Sequence, residues 1–475
     1  MSKKHVKPSK FLRFVVYPIV GIFFVAIVIL VITLANGYKP SIRHWKIKFQ
    51  KTGMVIVTTR PQKAEIFLDG KYRGQNKGLS LLSVRLSGVL PGFHDVIIKK
   101  PGYRTWQKKI TVKPDLVTWL DYVLLFPLNL EKKPISELAE SQFISSSSDG
   151  RILLYKKIAG SITEFFIYEP SSKTKTTIWP PINQTILDLP QNPDLISAEI
   201  NANKSKLLVK FKEADKNDWF IESFSGKESN TFTRVSKAGL QYDQLIWNPT
   251  NQNEMVGINN QTLSLLTTNS LNQIQVKDLS AKIIDFDVGQ DNKIYYVQEL
   301  QNEYLLGKMN IDGSNQIVID SAVPKGTKYK FSQSRQRGIL ALLITDTGNL
   351  LSYSKTNGKT TPIKLGSNIK DMAWSKKGIK LAYQTDKKIF IYDWEKIVDT
   401  EIVLEKPITK LDWYNDEFHL WGKIGDSIVV LEIDGSNQTE IAQNTANEFL
   451  VNITSFIFSN KVNEKQTFFQ TDIKF

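Results

Sequence analysis

Four histidines are the scarcest titratable side chains in this 475-residue chain, and imidazole is the group that most often moves protons or holds metals near neutral pH. His5 and His44 flank a long apolar run, His94 ends a Leu90-Pro91-Gly92-Phe93-His94 turn, and His419 comes late in the chain. No two of them have metal-ligand spacing, and no His-Glu-x-x-His, Gly-x-Ser-x-Gly or Gly-x-x-x-x-Gly-Lys pattern occurs. Ser145 to Ser148 offer four hydroxyls, but they precede Asp149-Gly150 with no histidine close in sequence, and so read as a turn. Asp285, Asp287 and Asp291 form the one tight acidic cluster and read as a strand end and turn. The phrase Asn310-Ile311-Asp312-Gly313-Ser314-Asn315-Gln316 returns as Glu432-Ile433-Asp434-Gly435-Ser436-Asn437-Gln438. Calcium wants about six to eight oxygens, more than one aspartate per turn supplies, so these are hairpin turns. The absence of cysteine excludes disulfides, thiolate metal sites and cysteine nucleophiles. The sequence therefore nominates no catalytic residue, no metal ligand and no cofactor-binding residue; an enzyme would have to assemble its site from scattered groups.

The elements that could position such groups begin at an anchor. Phe14 to Ala35 is a run of 22 residues without a charge. As a helix it covers about 33 Å, enough for a hydrocarbon core of about 30 Å. It is too long for the apolar stretch of a signal peptide, about 7–15 residues, although Thr33 and Ala35 make a cleavage-like site. A transmembrane helix is expected over 14–35, between a basic tail (1–13) and a basic juxtamembrane linker (36–51). Lys3, Lys4, Lys7, Lys10 and Arg13 balance Lys39, Arg43, Lys46, Lys48 and Lys51, so charge alone leaves the orientation tied. The net charge of +15 looks at first like a nucleic-acid protein. Residues 1–51 hold ten basic and no acidic side chains, whereas the other 424 carry 52 basic and 47 acidic. Basic clusters placed so favour anionic headgroups, and nucleic acid is not an expected partner.

From Met54 onward short alternating apolar runs are separated by turn residues, the period of half-buried strands. Met54 to Thr59, Ala64 to Leu68, Asp95 to Lys100, Thr105 to Val112 and Trp119 to Leu125 read as strands of a small antiparallel β-sandwich over 52–126. The segment resembles the PEGA domain family. Its Gly53-Met54-Val55-Ile56-Val57 strand, Pro61-Gln62-Lys63-Ala64 turn, Asp69-Gly70 hairpin, Gly74, Pro91-Gly92-Phe93-His94 and Gly102-Tyr103-Arg104-Thr105-Trp106 follow that family's pattern. Gln62-Lys63 replace the usual Glu-Gly, and the Thr-Pro common after the glycine is missing. The resemblance implies a bacterial envelope module without chemistry of its own, and places the bulk of the chain outside the membrane with the N-terminus in the cytoplasm. Lys99, Lys100, Lys108 and Lys109 suggest either a solvated face or contact with headgroups or wall polymers.

The remainder, 127–475, repeats. Anchors at Phe143, Ala198, Trp247, Phe286, Phe331, Trp374 and Trp413 are spaced by 39 to 55 residues, near the period of four-stranded propeller blades, about 40–50. The two Ile-Asp-Gly phrases lie 122 residues apart, three such periods. Trp374-Ser375-Lys376-Lys377-Gly378 and these phrases resemble TolB-type and WD40-like propeller repeats. Seven anchors predict seven blades; the tail from Phe449 either closes the ring with the Ile135 region or begins an eighth. The expected fold is all-β apart from one transmembrane helix. The expected function is a single-pass, non-enzymatic envelope protein whose propeller binds a protein or cell-wall polymer. The alternative is a propeller-type lyase or glycosidase acting on envelope glycans.

Overall fold

The computed structural model describes residues 15–35, 37–43, 46–75, 83–147, 153–159, 162–179, 194–213, 216–223, 231–235, 241–269, 273–334, 336, 338–356, 359–414, 416–443, 449–451, 455–462 and 465–473. The basic tail with His5, the His44-Trp45 pair and the Asp149-Gly150 turn lie outside the described residues. Two compact units divide the chain near residue 129.

In the first unit, helix α1 runs from Tyr17 to Ala35, and every described side chain from Val15 to Ile32 is exposed. Among the described residues no helix is long and apolar enough to cross a membrane. Where a plain linker was expected, Tyr38–Arg43 and Lys46–Lys51 pair as a hairpin.

The sandwich follows. One sheet orders Ser83–Val89, Gly53–Arg60 and Val117–Leu124; the other orders Lys71–Gln75, Glu65–Leu68, Gly92–Lys99 and Trp106–Val112. Alternate residues from both sheets, among them Val55, Val57, Ile66, Val96, Ile98, Trp106 and Leu120, meet in one core. The sandwich is not wholly antiparallel, because Gly53–Arg60 and Val117–Leu124 run parallel. Alternation of apolar residues marks a strand but not its direction, so the sequence could not show this crossover. Gly53 is dictated by space: a Cβ there would lie 2.5 Å from the Lys113 carbonyl oxygen.

The second unit is a ring of four-stranded antiparallel sheets, eight among the described residues, where seven were expected. Blades 1 to 7 occupy 141–179, 194–234, 244–280, 283–320, 329–366, 371–403 and 408–443. Blade 8 combines Phe449–Val451, Ser455–Val462 and Lys465–Asp472 with Lys133–Ile135, whose Ile135 pairs with Phe468. The tail thus does both things foreseen for it. The eighth blade escaped the repeat because its first strand has three residues and its outer strand comes from the other end of the unit. Such closure hides the edges that open sheets expose.

Every neighbouring pair of blades is sealed by apolar packing. Separate clusters join blades 1 and 2, 2 and 3, 3 and 4, 4 and 5, 5 and 6, and 6 and 7. Tyr414 stacks on Phe456 to join 7 and 8, and Tyr155 meets Phe468 edge-on at 5.1 Å to join 8 and 1.

Candidate functional site

The first strand of each blade is its innermost, and most of these strands run beside one another around the ring. The tryptophan anchors lock this inner layer. Trp247, Trp374 and Trp413 donate Nε1–H to the carbonyls of Glu199, Ser332 and Ala373, at 3.3, 3.0 and 2.9 Å, each on the first strand of the preceding blade. An indole buried for packing needs a partner for its N–H, and the neighbouring blade supplies it. Acidic side chains on the same strands fold back on the backbone. Asp285, Asp287, Asp371 and Asp412 accept the N–H of the next residue at 2.7 to 2.9 Å. Asp285 also reaches blade 5, taking the Tyr329 N–H at 2.7 Å.

Beyond these locks the inner strands open into a cavity of about 980 Å³ at the mouth of the ring, over blades 2 to 5. Isoleucines are among its lining residues. Ile196 and Ile284 sit at register shifts between Leu195/Ser197 and Ile283/Asp285, and both line the cavity with Ile246. Lys210, Lys328 and Lys330 stand among the lining residues. Lys210 lies over the Trp219 ring and donates to the Asp243 carbonyl at 3.0 Å, and burial lowers its pKa. Lys330 pairs with Asp371 of blade 6. Of the large aromatic rings lining this cavity, Trp219, Phe286, Tyr329 and Phe331 are buried and Tyr304 is half-buried.

On the first strands of blades 2 and 4, two carboxyls are pushed up by burial. Burial raises Glu199, and the charge of Asp287 adds to this against the Trp247 N–H, bringing it to about 7. Burial likewise raises Asp287 to about 6, helped by Asp285 and opposed by the Val288 N–H.

The other residues weighed from the sequence have local partners. His94 Nδ1 meets Asp69 Oδ2 at 2.7 Å and its Nε2 meets the Leu90 carbonyl, while Asp69 Oδ1 accepts the Asp95 N–H. Burial pushes Asp69 up, but His94 and the Asp95 N–H outweigh it and hold the carboxyl below its ordinary range. His419 is buried against Asp416, again at 2.7 Å. Asp312 and Asp434 each accept the N–H and hydroxyl of Ser314 and Ser436 within their turns. Those turns fall at matching places in blades 4 and 7, three blades apart. Asp291 accepts the Tyr295 hydroxyl at 2.9 Å, in a turn as expected, whereas Asp285 and Asp287 face the ring. Ser145 and Ser146 extend a strand and do not form a turn. Among the described residues no group of three or more His, Asp or Glu side chains is arranged to hold a metal ion. Glu199 and the three lysines were not legible beforehand; Glu199 and Lys330 stand next to the anchors Ala198 and Phe331, and no pattern marked Lys210 or Lys328.

Residues 52–125 match the PEGA domain. No curated protein matches the chain. Among solved structures, the second unit is similar in fold to β-propellers. The crystal structure of Saccharomyces cerevisiae Sqt1 has a TM-score of 0.48 at 11% identity, over 72% of this chain and 98% of that one. The Dos1 propeller also has 0.48 at 11%, over 71% and 94%. Oligogalacturonate lyase in complex with manganese has 0.40 at 10%, over 73% and 96%.

Proposed function

We propose that this chain is a single-pass membrane protein of the bacterial envelope, its N-terminus cytoplasmic and its bulk outside, whose propeller binds a protein or wall polymer and catalyses no reaction. The uncharged run over 14–35 supports the anchor, since an exposed helix of these side chains is unfavourable in water. The observation that carries the binding reading is the mouth of the ring, an open cavity lined by isoleucines and lysines among other residues. Such a surface supplies apolar area for affinity and charge for orientation. A photo-crosslinking residue at Ile196 or Ile284, in membranes of the native cell, should capture a partner at this mouth. Replacing Lys210, Lys328 and Lys330 together by Glu should cut that capture at least tenfold. Equal capture from the outer strands of the blades would sink the reading.

The glycan-cleaving alternative has one observation of its own, the Glu199–Asp287 pair with values near neutrality. Two carboxyls are what a glycosidase uses as acid and base. Incubation of the purified chain with envelope glycans should then yield new sugar ends, and Glu199→Gln or Asp287→Asn should abolish them. If wild type and both variants release nothing, the enzyme reading fails.

A further inference from the structure

Helix α1 and one end of the sandwich are stitched together by backbone. The Gly37 carbonyl, two residues past the helix, accepts the Thr52 N–H at 3.0 Å and its hydroxyl at 2.7 Å. The Thr52 carbonyl accepts the Asp115 N–H at 3.1 Å, and the Met54 N–H donates to Leu116 at 3.0 Å. Lys51 closes the junction with a 2.6 Å ion pair to Asp115. The same end holds the turns at 89–92 and 113–116, because Gly53 pairs with Val89 and Gly92 with Val112.

Three large apolar side chains stand in solvent here. Phe93 is 75% exposed, Leu116 55% and Val117 41%. Lys39 and Lys113 are exposed at the same end, and Asp115 is already paired. Lys99, at the other end of its strand, is six residues from Phe93, about 20 Å away. The lysine cluster suspected of touching headgroups therefore reaches, at Lys99 and Lys100, the end remote from the helix.

We infer that this helix-proximal end is a bilayer-docking surface, with Phe93, Leu116 and Val117 entering the interfacial layer and Lys39 and Lys113 meeting anionic headgroups. The inference rests on the proposed anchor, which delivers this end to the membrane within a few residues of α1. Apolar side chains rimmed by lysines are the chemistry that binds an anionic interface.

The chain has no cysteine, so single cysteines at Val25, Phe93, Leu116 and Thr105 can each carry an environment-sensitive fluorophore in the full chain. In vesicles of phosphatidylcholine and phosphatidylglycerol, the labels at 93 and 116 should be quenched several-fold more by headgroup-level nitroxide lipids than the label at 105. The Val25 label should respond to nitroxides deep on the acyl chain. No quenching at Val25 would overturn the anchor itself. Quenching at Val25, with 93 and 116 behaving like 105, overturns the docking surface and leaves the anchor standing. Equal quenching in phosphatidylcholine alone overturns the anionic assignment. If lipid nitroxides leave 93 and 116 untouched while added wall polymer shields them from aqueous iodide, the surface belongs to the polymer and the inference falls.

Discussion

Glu222 sits on the strand Lys216–Ser223 with no exposed surface, and neither carboxylate oxygen has a hydrogen-bond partner among the described residues. Its surroundings are Leu154, Phe165, Ile178, Leu207, Val209 and Phe211, between blades 1 and 2. Burial among these groups pushes the carboxyl well above the ordinary glutamate value of 4.5. Below pH 4.5 the folded and unfolded chains both hold this proton. As pH rises past that value the unfolded chain releases it and the folded chain keeps it, so stability falls by about 1.4 kcal/mol per pH unit until the folded group titrates. Glu222→Leu should therefore stabilise the propeller more at about pH 8 than at about pH 5, the gain growing by about 1.4 kcal/mol for each pH unit over which the folded carboxyl keeps its proton. Denaturant unfolding of both forms across that range checks this; a pH-independent difference refutes it. Nothing in the local pattern Trp219-Phe220-Ile221-Glu222 tells that the glutamate points inward, because strand alternation allows either face. His94 and Asp69 are the opposite case. Both stand out as turn residues of the sandwich, and the fold joins them across 25 positions.

Among elements, the tryptophan latches and the final strand carry the sharpest expectations. Trp413→Phe keeps most of the ring volume but leaves the Ala373 carbonyl without its indole donor, so stability should drop by about 1 kcal/mol. Phe468→Ala empties a fully buried site between blades 8 and 1 and should cost about 3–5 kcal/mol. Equilibrium denaturation ranks the two; a Phe468→Ala penalty no larger than that of Trp413→Phe would mean that the last blade does not hold the ring closed. The anchor spacing was readable because an apolar residue, aromatic in six of the seven cases, recurs on the first strand of each of blades 1 to 7. The eighth blade was hidden because its outer strand lies more than 330 residues from the strand it pairs with, a pairing that no local period reports.

For the whole molecule, the remaining expectation is topological. Protease added to spheroplasts should degrade the propeller while a cytoplasmic control stays intact; a propeller as protected as that control would invert the proposed orientation. The balanced flanking charges make this a real test, since five basic residues stand on each side of the apolar run.

By itself the sequence determined the 22-residue uncharged run, the PEGA-like module and the blade period, because each is a short-range pattern of apolar and turn residues. Only the tertiary structure decided the parallel pair in the sandwich, the eighth blade, the burial of Glu222 between blades 1 and 2 and the apolar end beside α1. Those features arise where segments far apart in the chain meet, and a chain's period fixes what each segment can bury but not which distant segment comes to lie against it.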